Sequence, residues 1–317
     1  MISYILKRIF YFIPSLFLAA LLIFSLVHLI PGDPALVMLG EAASPETAKA
    51  LRETLGLDKP LPVQFALWIG KMIKGDLGIS IHTKVSVVQS IQERFPVTLT
   101  LTTLAMLFSL LLSLPSGTLA AVYQNTSKDY LFMLASILGV SIPGFWLGLM
   151  SLLIFSVSLG WFPSTGFVPF WEDFWEGLRY MVLPSITLGL HMAAVISRMT
   201  RSSMLEVLRL EYITHARAKG LTEWIVIAKH ALKNALGPTL TTIGLQFGVL
   251  LGGAVVTETV FSLPGLGKYL VLSIYARDYP VVQGCILFIA LVYMVINLIV
   301  DILYVTFDPR ITYEEKN

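Results

Sequence analysis

The sequence has few charged residues, one cysteine and no familiar catalytic motif. Asp, Glu, Lys and Arg make up 13% of its 317 residues, whereas about a quarter of a soluble domain is charged. The single cysteine, Cys285, excludes an intrachain disulfide and a cysteine-rich zinc site. There is no phosphate loop, no H-E-x-x-H and no G-x-S-x-G sequence, so we expect neither catalysis nor a bound cofactor in this chain. Basic and aromatic residues are not interleaved, so nucleic acid is not an expected partner.

Hydrophobic residues make up 56% of the chain and gather in long uncharged windows. Six windows are long enough for a membrane helix, which needs about 20 apolar residues. They predict an all-α integral membrane protein with six transmembrane helices in a single domain, residues 1–317. The second and third windows exceed one span, so each is expected to tilt, to kink at Pro115 or Pro143, or to extend into the interface. The predicted spans are Ile9–Ile30, Phe95–Tyr123, Leu131–Phe162, Tyr180–Ser197, Ala235–Thr257 and a last one from Val281, uncharged to Val300 and extended to residue 307.

Basic residues in short loops mark the cytoplasmic side of a membrane protein. Residues 198–233 contain seven Lys and Arg against three acids, whereas residues 160–181 contain one basic residue against three acids. The loop 198–234 is therefore predicted to be cytoplasmic, together with both termini. The loop 31–94 is predicted to be external although its charges balance, because a loop of this length crosses the membrane largely regardless of charge.

The long external loop carries the start and stop signals of helices. Ser44 and Pro45 are typical of a helix start and Gly56 of its end. A second helix is predicted over residues 62–74, and residues 85–95 are predicted to lie on the membrane as an amphipathic segment. Such a loop either caps an external vestibule, receives a soluble partner, or is an insulating lid with no partner.

Three glycines recur every fourth residue in the fifth predicted span, at Gly244, Gly248 and Gly252. Small residues at this spacing share one helix face and let another backbone approach closely. We therefore predict a helix-packing face here, with Leu250 directed toward lipid or a looser contact.

Few ionisable residues lie within or beside the predicted spans. His191, Glu258 and Asp301 are the candidates for contact with a translocation path. A proton-coupled carrier is expected to bury a charged relay near the midplane of the membrane. Because no carboxylate lies there, a self-sufficient carrier or channel is the less favoured alternative.

A polar segment interrupts the apolar chain between the fourth and fifth spans. From residue 204 to 219, Leu205, Leu208, Tyr212 and Ala216 form one stripe of an amphipathic helix. Gly220 is the expected end of that helix, and a second helix is predicted after Thr222. On periodicity alone, the segment either lies on the lipid surface or docks a cytoplasmic partner.

The polar segment resembles the cytoplasmic coupling loop of ATP-binding-cassette importer permeases, in the form found in the dipeptide, oligopeptide and nickel branch. The similarity extends along nearly the whole chain. One departure is that the general consensus has Glu-Ala-Ala where this chain has Thr214, His215 and Ala216, as is common in the peptide branch. The matching segments are "EYITHARAKG", "KHALKNALGP", "LIPGDP", "LGLDKPLPVQF", "GDLGIS", "ETVFSLPGLG", "RDYPVVQ" and "FDPRI".

The resemblance implies a multi-pass subunit of a bacterial or archaeal cytoplasmic (inner) membrane. Its expected partners are membrane lipid, a second homologous permease, two ATPase subunits that bind ATP and Mg²⁺, and a periplasmic or lipid-anchored binding protein. The expected substrate is a dipeptide, oligopeptide or glutathione, with nickel or another metal chelate, an opine or haem as the alternative. By position, the residues expected to dock the ATPase are Glu211, Tyr212, Ala216, Arg217, Ala218, Lys219 and Gly220.

Overall fold

The structure is a computed structural model that describes residues 2–29, 44–56 and 58–307. Within these ranges the regular secondary structure is helical, apart from one isolated antiparallel bridge between Ile79 and Ser86. The prediction of an all-α fold is confirmed. The helices are α1 (Ile2–Leu29), α2 (Pro45–Leu55), α3 (Leu61–Ile73), α4 (Val87–Val122), α5 (Ser127–Ser141), α6 (Gly144–Ser158), α7 (Phe174–Leu208), α8 (Glu211–Ala218), α9 (Glu223–Val260), α10 (Leu266–Tyr275) and α11 (Tyr279–Phe307).

Four helices, α4, α7, α9 and α11, are each long and apolar enough to cross a membrane. The pair α5 and α6 meets the same criteria jointly but bends by 97° between its two halves. The bend falls at Ile142, whose extended backbone is the conformation favoured before a proline. The kink expected at Pro143 is therefore a full break between two helices, whereas the span 131–162 stays a prediction. The six-span count stays a prediction, and Ile30 and residues 31–43 lie outside the described residues.

The centre of the bundle is the contact between α4 and α7. Their backbones approach so closely that a Cβ on Gly117 would lie 2.5 Å from the Ser197 carbonyl oxygen. A Cβ on Gly189 would likewise lie 2.6 Å from the Ala105 carbonyl oxygen. Small residues permit such approach between membrane helices. These two helices therefore form the tight central pair on which α9 packs from the side.

The described part of the loop between α1 and α4, residues 44–56 and 58–86, contains two helices, as predicted. Ser44 caps α2 by accepting a hydrogen bond from the Thr47 amide, and Gly56 ends the helix at φ 71°. Further along, α3 lies beside α1, where Phe65 packs against Phe24 with the ring centroids 5.3 Å apart. The loop is thus held against the bundle by aromatic contacts.

The last part of this loop is also hydrogen-bonded to residues that lie up to 198 positions later in the sequence. Ser80 donates a 2.5 Å hydrogen bond to the buried Asp278 carboxylate, which also accepts the Ile81 amide at 3.1 Å. His82 and the Ala276 carbonyl meet at 2.7 Å. These contacts fix the segment before α4 to the corner between α10 and α11.

The amphipathic segment predicted to lie on the membrane over 85–95 packs its apolar face against protein instead. It is the first part of α4, where Val87 and Ile91 are buried against Leu266, Val281 and Cys285. The apolar face was correctly identified, but the surface that covers it comes from residues about 175 or more positions later. This part of the prediction is wrong because periodicity reveals a face and not its partner.

Candidate functional site

The polar segment between α7 and α9 folds as a short helix between two longer ones. The single helix predicted over 204–219 is wrong, since α7 ends at Leu208 and α8 starts at Glu211 after the extended residue Leu210. The break has a packing reason. Met204 and Ile213 are nine residues apart, which places them on opposite faces of an uninterrupted helix. The break lets both side chains enter one hydrophobic cluster.

That cluster anchors α8 to the ends of three long helices. Ile213 and Ala216 are its contribution from α8, and they meet Ala121 from α4, Met204 from α7 and, from α9, Val226, Ala231 and Ala235. Three of the four residues of the predicted stripe, Leu205, Leu208 and Ala216, pack in this cluster. Ala216 is buried as expected, but Tyr212 is 38% exposed and the deeper anchor is Ile213. The short helix α8 therefore shares one hydrophobic cluster with α4, α7 and α9.

Most of the predicted docking residues lie on the exposed side of this segment. Ala216 is covered by the cluster, whereas the other six are open to solvent. Gly220 has φ 78°, a left-handed conformation that few side chains adopt, and nothing lies within 4 Å of the position that a Cβ would take. The glycine therefore serves the turn itself. The six exposed residues are Glu211, Tyr212, Arg217, Ala218, Lys219 and Gly220.

An ion pair spans the Gly220 turn and was not foreseen from the sequence. The Arg217 guanidinium donates two hydrogen bonds to the Glu223 carboxylate, from Nη2 to Oε1 at 2.7 Å and from Nε to Oε2 at 3.1 Å. The carboxylate raises the pKa of Arg217 above its already high range. Both side chains are about half exposed, and such a pair contributes only ~0–1 kcal/mol. Its effect is to orient α8 relative to the start of α9.

A second set of polar contacts joins α8 to α9 further up. The first part of α9 contains a π-helical turn, Val226–Leu232. Tyr212 Oη lies 3.3 Å from the His230 carbonyl oxygen, and Asn234 Nδ2 lies 2.7 Å from the same oxygen and 3.0 Å from Tyr212 Oη. Because a carbonyl oxygen only accepts, the amide nitrogen of Asn234 must face it. We refer to Tyr212, the His230 carbonyl and Asn234 as the clasp.

A buried ion pair fixes α5 to α7 near the same end of the bundle. Arg201 donates two 2.7 Å hydrogen bonds to the Asp129 carboxylate, which is 2% exposed and also accepts the Asn125 amide at 3.0 Å. Removing one partner of such a pair typically costs about 3–5 kcal/mol. In the sequence, Arg201 counted only as one of the basic residues that orient the loop. The only hint of this ion pair in the sequence was Asp129, a single acidic residue just after a turn.

Glu258, a predicted contact of the translocation path, has a different position in the structure. Its buried carboxylate accepts hydrogen bonds from the Thr98 hydroxyl at 2.6 Å and from the Lys268 amide at 2.7 Å. It also touches Gly265, where a Cβ would collide with it. The Leu266 amide in turn donates to Thr98 Oγ1 at 2.9 Å. Glu258 therefore holds the N-terminus of α10 against α4 and α9.

The other two candidates for the path, His191 and Asp301, stay predictions. His191 is half-buried on α7, and the side chain of Asp301 on α11 lies outside the described residues. Among the described residues, no group of three or more His, Cys, Asp and Glu side chains is arranged to hold a metal ion.

The predicted glycine face of α9 meets α11 at two of its three positions. A Cβ on Gly244 would lie 2.7 Å from Val300 Cγ1, and one on Gly248 would lie 2.6 Å from Tyr293 Cε2. Gly252 has nothing within 4 Å and lines an open apolar cavity of about 560 Å³ between α9, α10 and α11. Leu250, predicted to face lipid or a looser contact, is fully buried against α4 and α7. That prediction was wrong because α9 is packed on more than its glycine face.

The described residues form a helical bundle in which the exposed helix α8 and its turn lie on the ends of three long helices. The chain matches the family described as binding-protein-dependent transport system inner membrane component over residues 113–313, and the N-terminal part of that component over residues 1–102. The chain belongs to this family. Membership makes it a transport subunit and not an enzyme.

Curated relatives cover the full length. The chain is 44% identical to the dipeptide transport system permease protein of Alkalihalophilus pseudofirmus, with 99% of this chain and 100% of that protein aligned. It is 43% identical to the glutathione transport system permease protein of Escherichia coli strain K12, with the same coverage. A putative peptide transport system permease protein of Brucella abortus strain 2308 is 45% identical, again with 99% and 100% coverage.

The fold is shared with a solved transporter. A chain of the inward-facing MetNI methionine ABC transporter superposes with a TM-score of 0.58 over 69% of this chain and 96% of that chain, at 20% identity. A second crystal form of the same transporter gives a TM-score of 0.56. The chain therefore shares its fold with that transporter chain over 69% of its length.

Proposed function

We propose that this chain is one of two permease subunits of an ATP-binding-cassette importer and forms half of the path for a peptide-like substrate. Family membership supports the role, and the names of the relatives support the substrate, since dipeptides and glutathione are both short peptides. A homologous permease completes the path and two ATPase subunits bind ATP and Mg²⁺. A periplasmic or lipid-anchored binding protein delivers the substrate. The site of action is a bacterial or archaeal cytoplasmic membrane.

The observation that carries the coupling role is the shared hydrophobic cluster beneath α8. Ile213 and Ala216 connect this short helix to α4, α7 and α9 at once. Closure of the ATPase pair would therefore move three long helices through one contact. Seven basic residues over 198–233 place α8 on the cytoplasmic side in this proposal, with six spans and both termini inside.

The ATPase would dock on the exposed side of α8 and its turn. Glu211, Tyr212 and Arg217 offer polar contacts there, and Ala218 allows close approach. Lys219 and Gly220 follow in the turn, and Ala216 backs the surface from beneath. The ion pair between Arg217 and Glu223 fixes the orientation of the surface.

The test is to replace Gly220 by Val and by Asn in the complete transporter. Valine resists φ near 78°, at a cost of roughly 1–2 kcal/mol or more, whereas asparagine tolerates it. We expect Gly220→Val to abolish transport with normal membrane levels, and Gly220→Asn to retain most of it. Both side chains occupy new volume, so equal loss in the two variants would indicate a crowded contact instead of the turn. Normal transport by Gly220→Val would refute the coupling role.

The substrate class is tested on the binding protein encoded beside this chain. Purification without added ligand, followed by mass spectrometry, is expected to recover a di- or oligopeptide or glutathione. A nickel or other metal chelate, an opine or haem recovered instead would overturn the peptide proposal and leave the permease role intact.

A further inference from the structure

The clasp lies where two kinds of helical hydrogen bonding meet. In a π-helical turn each amide bonds the carbonyl five residues earlier, against four in an α-helix, so the donor register shifts by one residue where the two join. His230 sits near the end of the turn Val226–Leu232, and its carbonyl accepts the side chain of Asn234 at 2.7 Å. Turns of this kind are often found at functional sites in helices.

We propose that Asn234 is a positioning residue which, with Tyr212, holds α8 on the π-helical turn. A displacement of α8 then moves α9 directly and is not absorbed by a change in the Gly220 turn. This inference rests on the proposed function and adds a residue to it. Tyr212 belongs to α8, whereas His230 and Asn234 belong to α9. The clasp is therefore a direct polar contact between the two helices at the end of α8 opposite Gly220. The clasp at one end and the Gly220 turn at the other together restrain rotation of α8.

The hydrogen bonds of Asn234 fit this role better than a role in helix stability. Alanine favours a helix more than asparagine does, so a purely structural position in α9 would gain from Asn234→Ala. Aspartate has nearly the same shape as asparagine but only accepts when ionised, and it would set a carboxylate oxygen against the His230 carbonyl. Both replacements remove the donor, while only one adds charge.

The experiment uses the complete transporter in proteoliposomes with its purified binding protein. Basal ATP hydrolysis and its stimulation by the binding protein are measured for the unmodified chain, Asn234→Ala, Asn234→Asp and Tyr212→Phe. Loss of one net hydrogen bond corresponds to about three- to tenfold. We expect Asn234→Ala and Asn234→Asp to retain the co-purified ATPase and basal hydrolysis while stimulation falls about three- to tenfold. Because Tyr212 also belongs to the proposed docking surface, the stimulation of Tyr212→Phe is measured relative to its own basal rate and is expected to fall by a similar factor. Tyr275→Phe, which removes an exposed hydroxyl on α10, is the matched control and should behave like the unmodified chain.

The double variant gives a second, independent readout. If Tyr212 and Asn234 act through one clasp, Tyr212→Phe combined with Asn234→Ala should lose no more stimulation than either alone. Full stimulation in Asn234→Ala, or additive losses in the double variant, would overturn the inference. So would a fall in assembly and basal hydrolysis of Asn234→Ala that parallels its loss of stimulation. Failure of the ATPase to co-purify with the unmodified chain would instead overturn the proposed function.

Discussion

Thr98 is the point at which a small change should test the role assigned to Glu258. Its hydroxyl donates to the Glu258 carboxylate at 2.6 Å and accepts the Leu266 amide at 2.9 Å. Valine has nearly the same shape but can do neither. Thr98→Val therefore leaves a buried amide without a partner and removes one donor from a buried carboxylate. The N-terminus of α10 loses its link to α4.

The magnitude follows from these two groups. An unsatisfied buried amide costs about 1–3 kcal/mol, and a lost hydrogen bond to a carboxyl group costs about 0.5–3 kcal/mol, from the neutral to the charged form. Their sum is about 2–5 kcal/mol after allowance for partial relaxation. At ~2 °C per kcal/mol, as in large soluble domains, the midpoint of thermal unfolding should fall by roughly 4–10 °C.

The assay is the thermal unfolding of the purified transporter in detergent at one fixed scan rate, because unfolding of such proteins is commonly irreversible. Thr103→Val is the matched control, since Thr103 is exposed on the same helix and should tolerate the change. A Thr98→Val protein as stable as the control would refute the capping role. Loss of transport with unchanged stability would return Glu258 to the translocation path.

Three further predictions concern the exposed helix, the glycine face and the ATPase. In a chain carrying Cys285→Ser, a cysteine at Lys219 should react with an aqueous thiol reagent from the cytoplasmic side only when the ATPase is stripped away; unchanged labelling would favour a segment lying on lipid. Gly248→Leu should reduce assembly or transport severely because Tyr293 occupies the space, whereas Gly252→Leu should be mild since its surroundings are open, and equal yields and activities would contradict a packed face at Gly248. The purified chain alone should hydrolyse no ATP and should gain hydrolysis only with its ATPase partners; activity of the isolated chain, free of contaminants, would contradict this.

Local signals in the sequence predicted local structure well. Ser44 and Gly56 bound α2 as expected, and Gly220 adopts the left-handed turn that the pattern required. These features depend on residues a few positions apart, whose hydrogen bonds form within one turn of a helix. The composition of the long apolar windows likewise predicted a helical membrane fold.

Contacts between distant segments could not be predicted from the periodicity of the sequence. Ile213 replaced Tyr212 as the main anchor of α8 because the chain breaks at Leu210, which changes the face that each later residue presents. Glu258 looked like a membrane-embedded acid, since its partner Thr98 is 160 positions away. A single sequence reveals the polarity of each face but not the neighbour that satisfies it.

The ion pair between Asp129 and Arg201 has a consequence for folding during synthesis. The two residues are 72 positions apart, so at ~5–20 residues per second Asp129 leaves the ribosome roughly 4–14 s before Arg201. Until then its carboxylate has no guanidinium beside it, and moving it away from water would be costly. The hairpin of α4 and α5 is therefore expected to stay loosely seated during synthesis and to lock only when α7 arrives. Completion of this corner is a late event set by the order of the chain.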